Sequence, residues 1–568
     1  MSKKCHLNVT PYSPLGYPNA LAKSNYYLTM KKTLAALSLC MLSSVAIAEQ
    51  PKLIVQLTVD QLRGDLLHRY KHHFVNQRNR KGFNRFLEQG VTYDNTHYRH
   101  AATLTAVGHA TLATGALPTH HGIIANNWYD PSTASDMYCV ADKKAKLVGD
   151  EGKAASPANL MSSTFSDELR MGTNGKAKVY AVSIKDRGAV LTGGHFGKAF
   201  WYNKSTGNFV TSSYYYDQLP EWAEAFNQSG LKNSFLGKEW KLSKPEEEYH
   251  NDVQNRVYQI PPKGFNKGFP HQMPKLTDKL YYRMISNTPY GDEMTINFAK
   301  SIIDNEQLGA DEITDYLSIS FSVNDYIGHT YGPNSLEAED GLIKLDSMLA
   351  EFFYYLDKKI GLDDVLLVIS ADHGVDSIPE YKKALGFAGF RGDVESAVDE
   401  ANKSLMAKHE SSQSFVKAIA LPNVYFNHDA LAAADVDADD LAEEFAALVI
   451  KDEAIDKVFT QALLKTPGNR DVISQRVFNN FVDSRSGDII VVQSPSAIMK
   501  SYSAATHGSP YKYDTHVPMY FAGWKLKPQR ITRLTSPEDI AVTLSSVMRV
   551  GFPDKATGTV LPEVADAQ

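Results

Sequence analysis

Residues 316–370 read YLSISFSVNDYIGHTYGPNSLEAEDGLIKLDSMLAEFFYYLDKKIGLDDVLLVIS, and the spacing of their apolar residues changes twice. Tyr316–Val323 is a short apolar run ending in polar residues, the pattern of a buried strand. Leu342, Leu345, Leu349, Phe352, Phe353 and Leu356 then recur at helical spacing, and Val365–Ser370 is again a short apolar run. Strand, helix, strand predicts a parallel pair joined by a right-handed crossover.

On either side of this unit, Lys52–Val59, Lys178–Ile184, Asp488–Val492 and Val517–Phe521 have the same buried-strand character. Ser536-Pro537-Glu538-Asp539 offers an N-cap, a first-turn proline and first-turn acids ahead of Ile540, Leu544 and Val547, with Gly551 as the stop, so a helix is predicted there. The fold class that follows is α/β: an open, mainly parallel sheet with helices on both faces. Residues 196–290, rich in Tyr, Trp, Lys and Glu, and residues 376–485 break the pattern and read as inserted cap segments able to form a lid. Asp435–Glu444 within the second is a solvated acidic face. One catalytic domain over 49–555, followed by a tail at 556–568, accommodates these elements.

The first 48 residues read differently. From Met30 the chain runs MKKTLAALSLCMLSSVAIA, a basic start, an apolar stretch from Leu34 to Ala46 and the small-x-small ending Ala46-Ile47-Ala48, which is the pattern of a secretory signal peptide. Residues 1–29 are polar and carry Pro11, Pro14 and Pro18, an unsuitable prefix for an export signal, so translation is expected to begin at Met30. Leu39 is too bulky to precede a lipid-modified Cys40. The apolar stretch is shorter than the ~20 residues a membrane span needs, and no later segment qualifies. An exported protein, periplasmic or secreted, with no membrane span is expected.

Composition, with 43% hydrophobic and 22% charged residues in 568, is that of an ordinary globular protein. The leader holds Lys3, Lys4, Lys23, Lys31 and Lys32 and no acid. Without those five, 54 basic face 65 acidic residues, a net charge of −11. Such a surface repels nucleic acid and anionic membranes, so an anionic substrate needs a local reversal of sign by metals or clustered cations. Of three cysteines only Cys139 lies beyond the leader, which excludes an internal disulfide in the mature chain and makes Cys139 a small buried hydrophobe.

In open parallel sheets, ligands bind beyond the carboxyl ends of the strands. Asp60 ends the first predicted strand, Lys185 and Arg187 follow the second, Asp325 and His329 the third, and Asp372 and His373 the fourth, while His507 follows the run near 488–492. Singly, each has an ordinary structural reading as a turn, cap or satisfied histidine. Together, three carboxylates and three imidazoles can divide into two sets of three around two divalent ions, each leaving open positions for substrate oxygens. Asp325 and His329 are one helical turn apart, which lets them meet one ion. A nitrogen and oxygen set without thiolate favours two Zn2+, with Mn2+, Fe and Co2+ left open by ligand type.

A nucleophile comes from Ala102-Thr103-Leu104-Thr105-Ala106-Val107-Gly108-His109, where small, helix-compatible residues follow Thr105. At a helix N-terminus, the dipole and a neighbouring metal favour the alkoxide. Thr103 competes for the role on this reading, and His109, His120, His121 and His516 read as structural.

The segments Thr-Ala-Val-Gly-His-Ala from Thr105, Thr114-Gly115, His121-Gly122-Ile123 and Asn126-Asn127-Trp128-Tyr129-Asp130, with Val59-Asp60-Gln61-Leu62-Arg63, Ser183-Ile184-Lys185-Asp186-Arg187, Asn324-Asp325-Tyr326-Ile327-Gly328-His329, Ala371-Asp372-His373-Gly374 and Thr506-His507-Gly508-Ser509, resemble the alkaline phosphatase superfamily. Within it the chain is similar to the phosphate-irrepressible alkaline phosphatases, relatives of the nucleotide pyrophosphatase/phosphodiesterases, from about residue 52 to 550. The resemblance implies that Asp60, Asp372 and His373 hold one zinc and Asp325, His329 and His507 the other. It also implies that Thr105 rather than Thr103 is the nucleophile and that Asn126 binds a phosphoryl oxygen.

The expected activity is hydrolysis of small-molecule phosphate monoesters through a phosphothreonine. Lys185 and Arg187, two apart after a strand, would both point to the phosphoryl oxygens by strand alternation. Three alternatives remain. A phosphodiesterase or nucleotide pyrophosphatase would use the same nucleophile and metals, a related mutase would be cytoplasmic against the signal peptide, and a non-catalytic zinc- or phosphate-capturing envelope protein would not turn over. A sulfatase is disfavoured because the nucleophile lacks a Cys/Ser-x-Pro-x-Arg setting.

Overall fold

A computed structural model describes residues 50–251, 256–499 and 503–567, and the leader expected over 1–48 lies outside them. The main sheet is formed by β1 (Leu53–Val59), β2 (Val91–Tyr93), β3 (Leu147–Val148), β4 (Val179–Ser183), β5 (Lys198–Tyr202), β6 (Phe209–Ser212), β7 (Asp315–Phe321), β8 (Val365–Ser370), β9 (Met519–Gly523) and β10 (Gln529–Ile531). Their spatial order is β10-β2-β9-β8-β1-β7-β4-β5-β6-β3.

The middle is parallel. β1 pairs in parallel with β7 and β8, β7 with β4, and β4 with β5. β9 and β6 run antiparallel at the flanks. Every residue of β1 is buried, as expected for a strand covered on both faces. Leu53, Val55, Leu57 and Val59 meet one core, with Leu342, Leu345 and Leu349 of the crossover helix, and Ile54 meets the other, with Ile540 and Leu544.

The elements that frame the site are helices α1 (Thr105–Thr114), α2 (Asp186–Gly193), α3 (Pro289–Glu306), α4 (Val323–Tyr331), α5 (Leu336–Lys359) and α6 (Asp539–Met548). α5 is the crossover read from residues 316–370, capped by Ser335, whose hydroxyl accepts the Ala338 amide. α6 begins at Asp539, later than expected, because the Asp539 carboxylate accepts the Ser536 amide at 2.9 Å and ties the preceding turn outside the helix. It stops at Met548, with Arg549 left-handed at φ 54°, before reaching Gly551.

Three sequence expectations need correction. Residues 198–202 and 209–212, inside the first expected insertion, are β5 and β6 of the main sheet; their aromatics Phe200 and Phe209 are buried against Phe298 of α3, so Tyr and Trp content marked core there. Residues 489–493 form a strand of a separate four-stranded sheet with 416–420, 423–426 and 455–460, covered by helices at 394–408 and 438–449, so the second inserted unit extends past residue 485. A short apolar run specifies burial and not which sheet buries it. Lastly, 184–187 is not extended: Lys185 is the N-cap of α2 and Arg187 lies in its first turn.

Candidate active site

Parallel strands place their carboxyl ends on one edge, so Asp60 after β1, Lys185 after β4, Asp325 after β7 and Asp372 after β8 converge by topology. α1 crosses directly above. A Cβ on Gly108 would lie 2.0 Å from the Asp372 carbonyl oxygen, so only glycine allows this approach.

Two sets of donors result: Asp60, Asp372 and His373, and Asp325, His329 and His507, each with ligand atoms within 4.8 Å of one another. In the second, Asp325 Oδ1 lies 3.2 Å from His329 Nε2 and 3.5 Å from His507 Nε2. In the first, His373 Nε2 lies 3.5 Å from Asp60 Oδ1 and 3.6 Å from Asp372 Oδ2.

Each imidazole is turned by a backbone carbonyl. His329 Nδ1 donates to Ala505 O at 2.8 Å, His507 Nδ1 to Thr103 O at 2.7 Å, and His373 Nδ1 to Gly374 O at 3.0 Å. A carbonyl partner assigns the proton to Nδ1 and leaves the Nε2 lone pair for an ion. The carboxylates divide similarly. Oδ2 of Asp60 and of Asp325 each accept Lys185 Nζ at 2.6 Å, and Asp372 Oδ1 accepts the Gln61 amide at 3.1 Å, so the other oxygen of each faces the imidazoles.

Asp60 Oδ1, Asp372 Oδ2 and His373 Nε2 are buried without a hydrogen-bond partner. Three such orphaned atoms at one point are costly unless a cation meets them. The residues therefore fit a metal.

The electrostatics agree. Burial, then the adjacent Asp372 charge, pushes the Asp60 carboxyl well above its ordinary range. Burial holds His373 down at about 3 and lowers His507, so these imidazoles are neutral, the ligating form. Burial would raise Asp325, but His329 and Lys185 outweigh it and hold the carboxyl down.

Thr105 opens α1, fully surrounded by protein, with its Oγ1 accepting from Lys185 Nζ at 3.3 Å and Arg187 Nη2 at 3.4 Å. Lys185 and Arg187 thus reach the same hydroxyl, through a helix start and not through strand alternation. Asn126 Oδ1 accepts the Ala106 amide at 2.9 Å, which leaves its Nδ2 as the group able to meet an anion. Thr103, the competing candidate, donates its hydroxyl to Ser509 O at 2.8 Å and is committed there.

Sequence reasoning assigned no role to three residues that hold these groups. Gln61, left-handed at φ 66°, spans the two sets: its Nε2 donates to Asp325 Oδ1 at 2.7 Å while its amide holds Asp372. His109, one turn after Thr105 on the same face of α1, bonds Thr105 O at 2.9 Å and lies 3.2 Å from Asp372 Oδ2. Tyr138 accepts from Arg187 Nη1 at 3.3 Å and donates to Asp186. The helical spacing from Thr105 was a signal for His109; Tyr138 sits on a distant hairpin and gave none.

The model of the type I phosphodiesterase/nucleotide pyrophosphatase family matches residues 54–517, a span that contains both donor sets, Thr105, Asn126, Lys185 and Arg187. The chain belongs to that family. Similar members are a Myroides odoratus protein named calcium-transporting ATPase (34% identical, covering 95% of this chain and 100% of that one), alkaline phosphatase PhoV of Synechococcus elongatus (34%, 91% and 93%) and alkaline phosphatase PafA of Elizabethkingia meningoseptica (34%, 91% and 94%). The crystal structure of wild-type PafA superimposes with a TM-score of 0.83 at 32% identity, over 91% of this chain and 99% of that one, so this family member has an alkaline phosphatase-like α/β fold. In another PafA structure a threonine, an asparagine 21 residues on, a lysine and an arginine two beyond it are replaced; the same residue types recur here at the same separations in Thr105–Asn126 and Lys185–Arg187.

Proposed function

We propose that this phosphatase-like family member is an exported phosphate-monoester hydrolase with two zinc ions, and that Thr105 carries the phosphoryl group between substrate and water. The observation that carries the reading is one hydroxyl, at the first turn of a helix, flanked by the buried Lys185, the half-buried Arg187 and two three-donor sets. Bound zinc ions would supply Lewis-acid stabilisation of oxygen anions and a more acidic water.

The protein's own groups account for the rest. The α1 dipole and the Lys185 and Arg187 donors favour ionisation of Thr105 Oγ, whose proton passes to solvent. Oγ forms a bond to phosphorus as the bond to the ester oxygen breaks, giving phosphothreonine and the alcohol; water oxygen then bonds to phosphorus and Thr105 is released. Asn126 and Arg187 hold the non-bridging oxygens, with Arg187 fixed by Tyr138. The expected leader is proposed to be removed after Ala48.

A monoester dianion presents three non-bridging oxygens to these donors and a diester two plus a second organic arm, which favours the monoester over the diesterase reading that the family's breadth allows. The Myroides odoratus relative is named for calcium transport; ester hydrolysis is favoured here because two cations and two donor sets surround one hydroxyl. Comparing kcat/KM on matched mono- and diesters with the zinc-loaded chain tests the assignment. A clear monoester preference supports it; equal or better diester turnover assigns a diesterase, and no turnover at full zinc occupancy assigns a binding protein.

A further inference from the structure

A cavity of about 190 Å3 is lined by His507 but by no other member of the two donor sets and by none of the phosphoryl-binding groups. Its walls come from two parts of the chain. Leu104, the residue before Thr105, and the loop around His507 belong to the main domain, while Leu421, Ile490, Val492 and Met499 come from the inserted unit with the second sheet. Alternation along strand 489–493 turns Ile490 and Val492 towards Ala101 and the nucleophile loop, whereas Ile489 and Val491 face the inserted unit's own core.

No residue lining the cavity carries a carboxylate, ammonium or guanidinium. Lys185 and Arg187, the cations that reach Thr105 Oγ1, do not line it. His507 joins cavity and chemistry: its Nδ1 is held by Thr103 O, its Nε2 faces Asp325, and it lines the cavity. An ester with phosphorus at Thr105 would meet these cations with its oxygens, and Leu104 and His507 are the shared walls along which its carbon group would reach the apolar recess. A cavity of about 150 Å3 lined by aliphatic side chains holds a benzene ring. The recess thus matches one ring, not a sugar joined to a base.

We propose that this cavity is the subsite for the organic group of the substrate, and that it takes an uncharged aryl group on a phosphate monoester. The proposal rests on the hydrolase reading above. It gives the inserted unit a role as the specificity wall, with the main domain supplying the reactive groups.

The test uses the full zinc-loaded chain with phenyl phosphate and ethyl phosphate, each variant being compared with the wild type on the same ester so that leaving-group reactivity cancels. Met499→Trp fills the recess and Leu421→Lys puts an ammonium into it; zinc content and circular dichroism check that each variant is folded. Either change is expected to lower kcat/KM for phenyl phosphate about tenfold or more and for ethyl phosphate less than about twofold, with inhibition by inorganic phosphate unchanged. Losses equal on both esters, or phenyl phosphate turnover untouched in both folded variants, overturn the subsite while leaving the hydrolase reading intact. A wild type that hydrolyses neither ester overturns the hydrolase reading and the subsite with it.

Discussion

Arg187 and Lys185 both approach Thr105 Oγ1, yet their other contacts separate them. Lys185 also holds one oxygen of Asp60 and one of Asp325, so its removal disturbs both donor sets. Arg187 makes no bond to a candidate ligand, and its guanidinium is braced by Tyr138. Arg187→Ala is therefore expected to retain zinc and to lower monoester kcat/KM about a hundredfold, the usual scale for one oxyanion donor, with a smaller loss on diesters. Equal losses on the two classes would mean that Arg187 only positions the loop. Gln61→Ala removes the side-chain bond to Asp325 but keeps the backbone bond to Asp372, so zinc affinity is expected to weaken about tenfold at the Asp325 set, measured by titration against a chelator. Unchanged affinity at both sets would show that the left-handed Gln61 does not orient Asp325.

At the scale of elements, α1 and the four parallel strand ends behave as one construction, and Gly108 is where they touch. Gly108→Ala drives a methyl group into the Asp372 carbonyl, so α1 or the 372–373 loop must move. A stability loss of about 1–3 kcal/mol, read by thermal unfolding, is expected together with reduced zinc content. Native zinc content and an unchanged Tm would contradict the contact.

The crossover α5 and the strands around it were legible in the sequence because burial on both faces leaves continuous apolar runs, and the parallel order then carried Asp60, Asp325 and Asp372 to one edge. Less legible were β5 and β6, whose aromatic residues do not distinguish a strand in a large sheet from a lid, and 489–493, whose apolar residues serve a second sheet. Lys185 and Arg187 were read as neighbours on a strand and are neighbours because a helix begins between them. Gln61 and Tyr138 stayed hidden because their roles depend on partners 264 and 49 residues away, Asp325 and Arg187.

Across the whole molecule, the main domain brings the reactive groups together and the inserted unit shares with it the walls of the cavity lined by His507. Zinc that binds the folded chain and not the unfolded one must stabilise it, by about 4 kcal/mol at a free concentration a thousandfold above Kd. Chelation is thus expected to abolish turnover and lower Tm together, and readdition of about two zinc ions per chain to restore both. Turnover that persists in exhaustively demetallated protein would end the two-zinc reading. The expected leader adds a prediction for the exported form: mass spectrometry should find its N-terminus at Glu49, and a secreted product retaining residues 30–48 would contradict export through this signal.

The central claim is that Thr105 carries the phosphoryl group, and rapid acid quenching of the zinc-loaded enzyme during monoester turnover, followed by proteolysis and mapping of phosphate, tests it most directly. Phosphate is expected on Thr105 in the wild type and none in a Thr105→Ala protein that still binds two zinc ions. Phosphate on Thr103, or steady turnover with no phosphorylated residue at all, would contradict it.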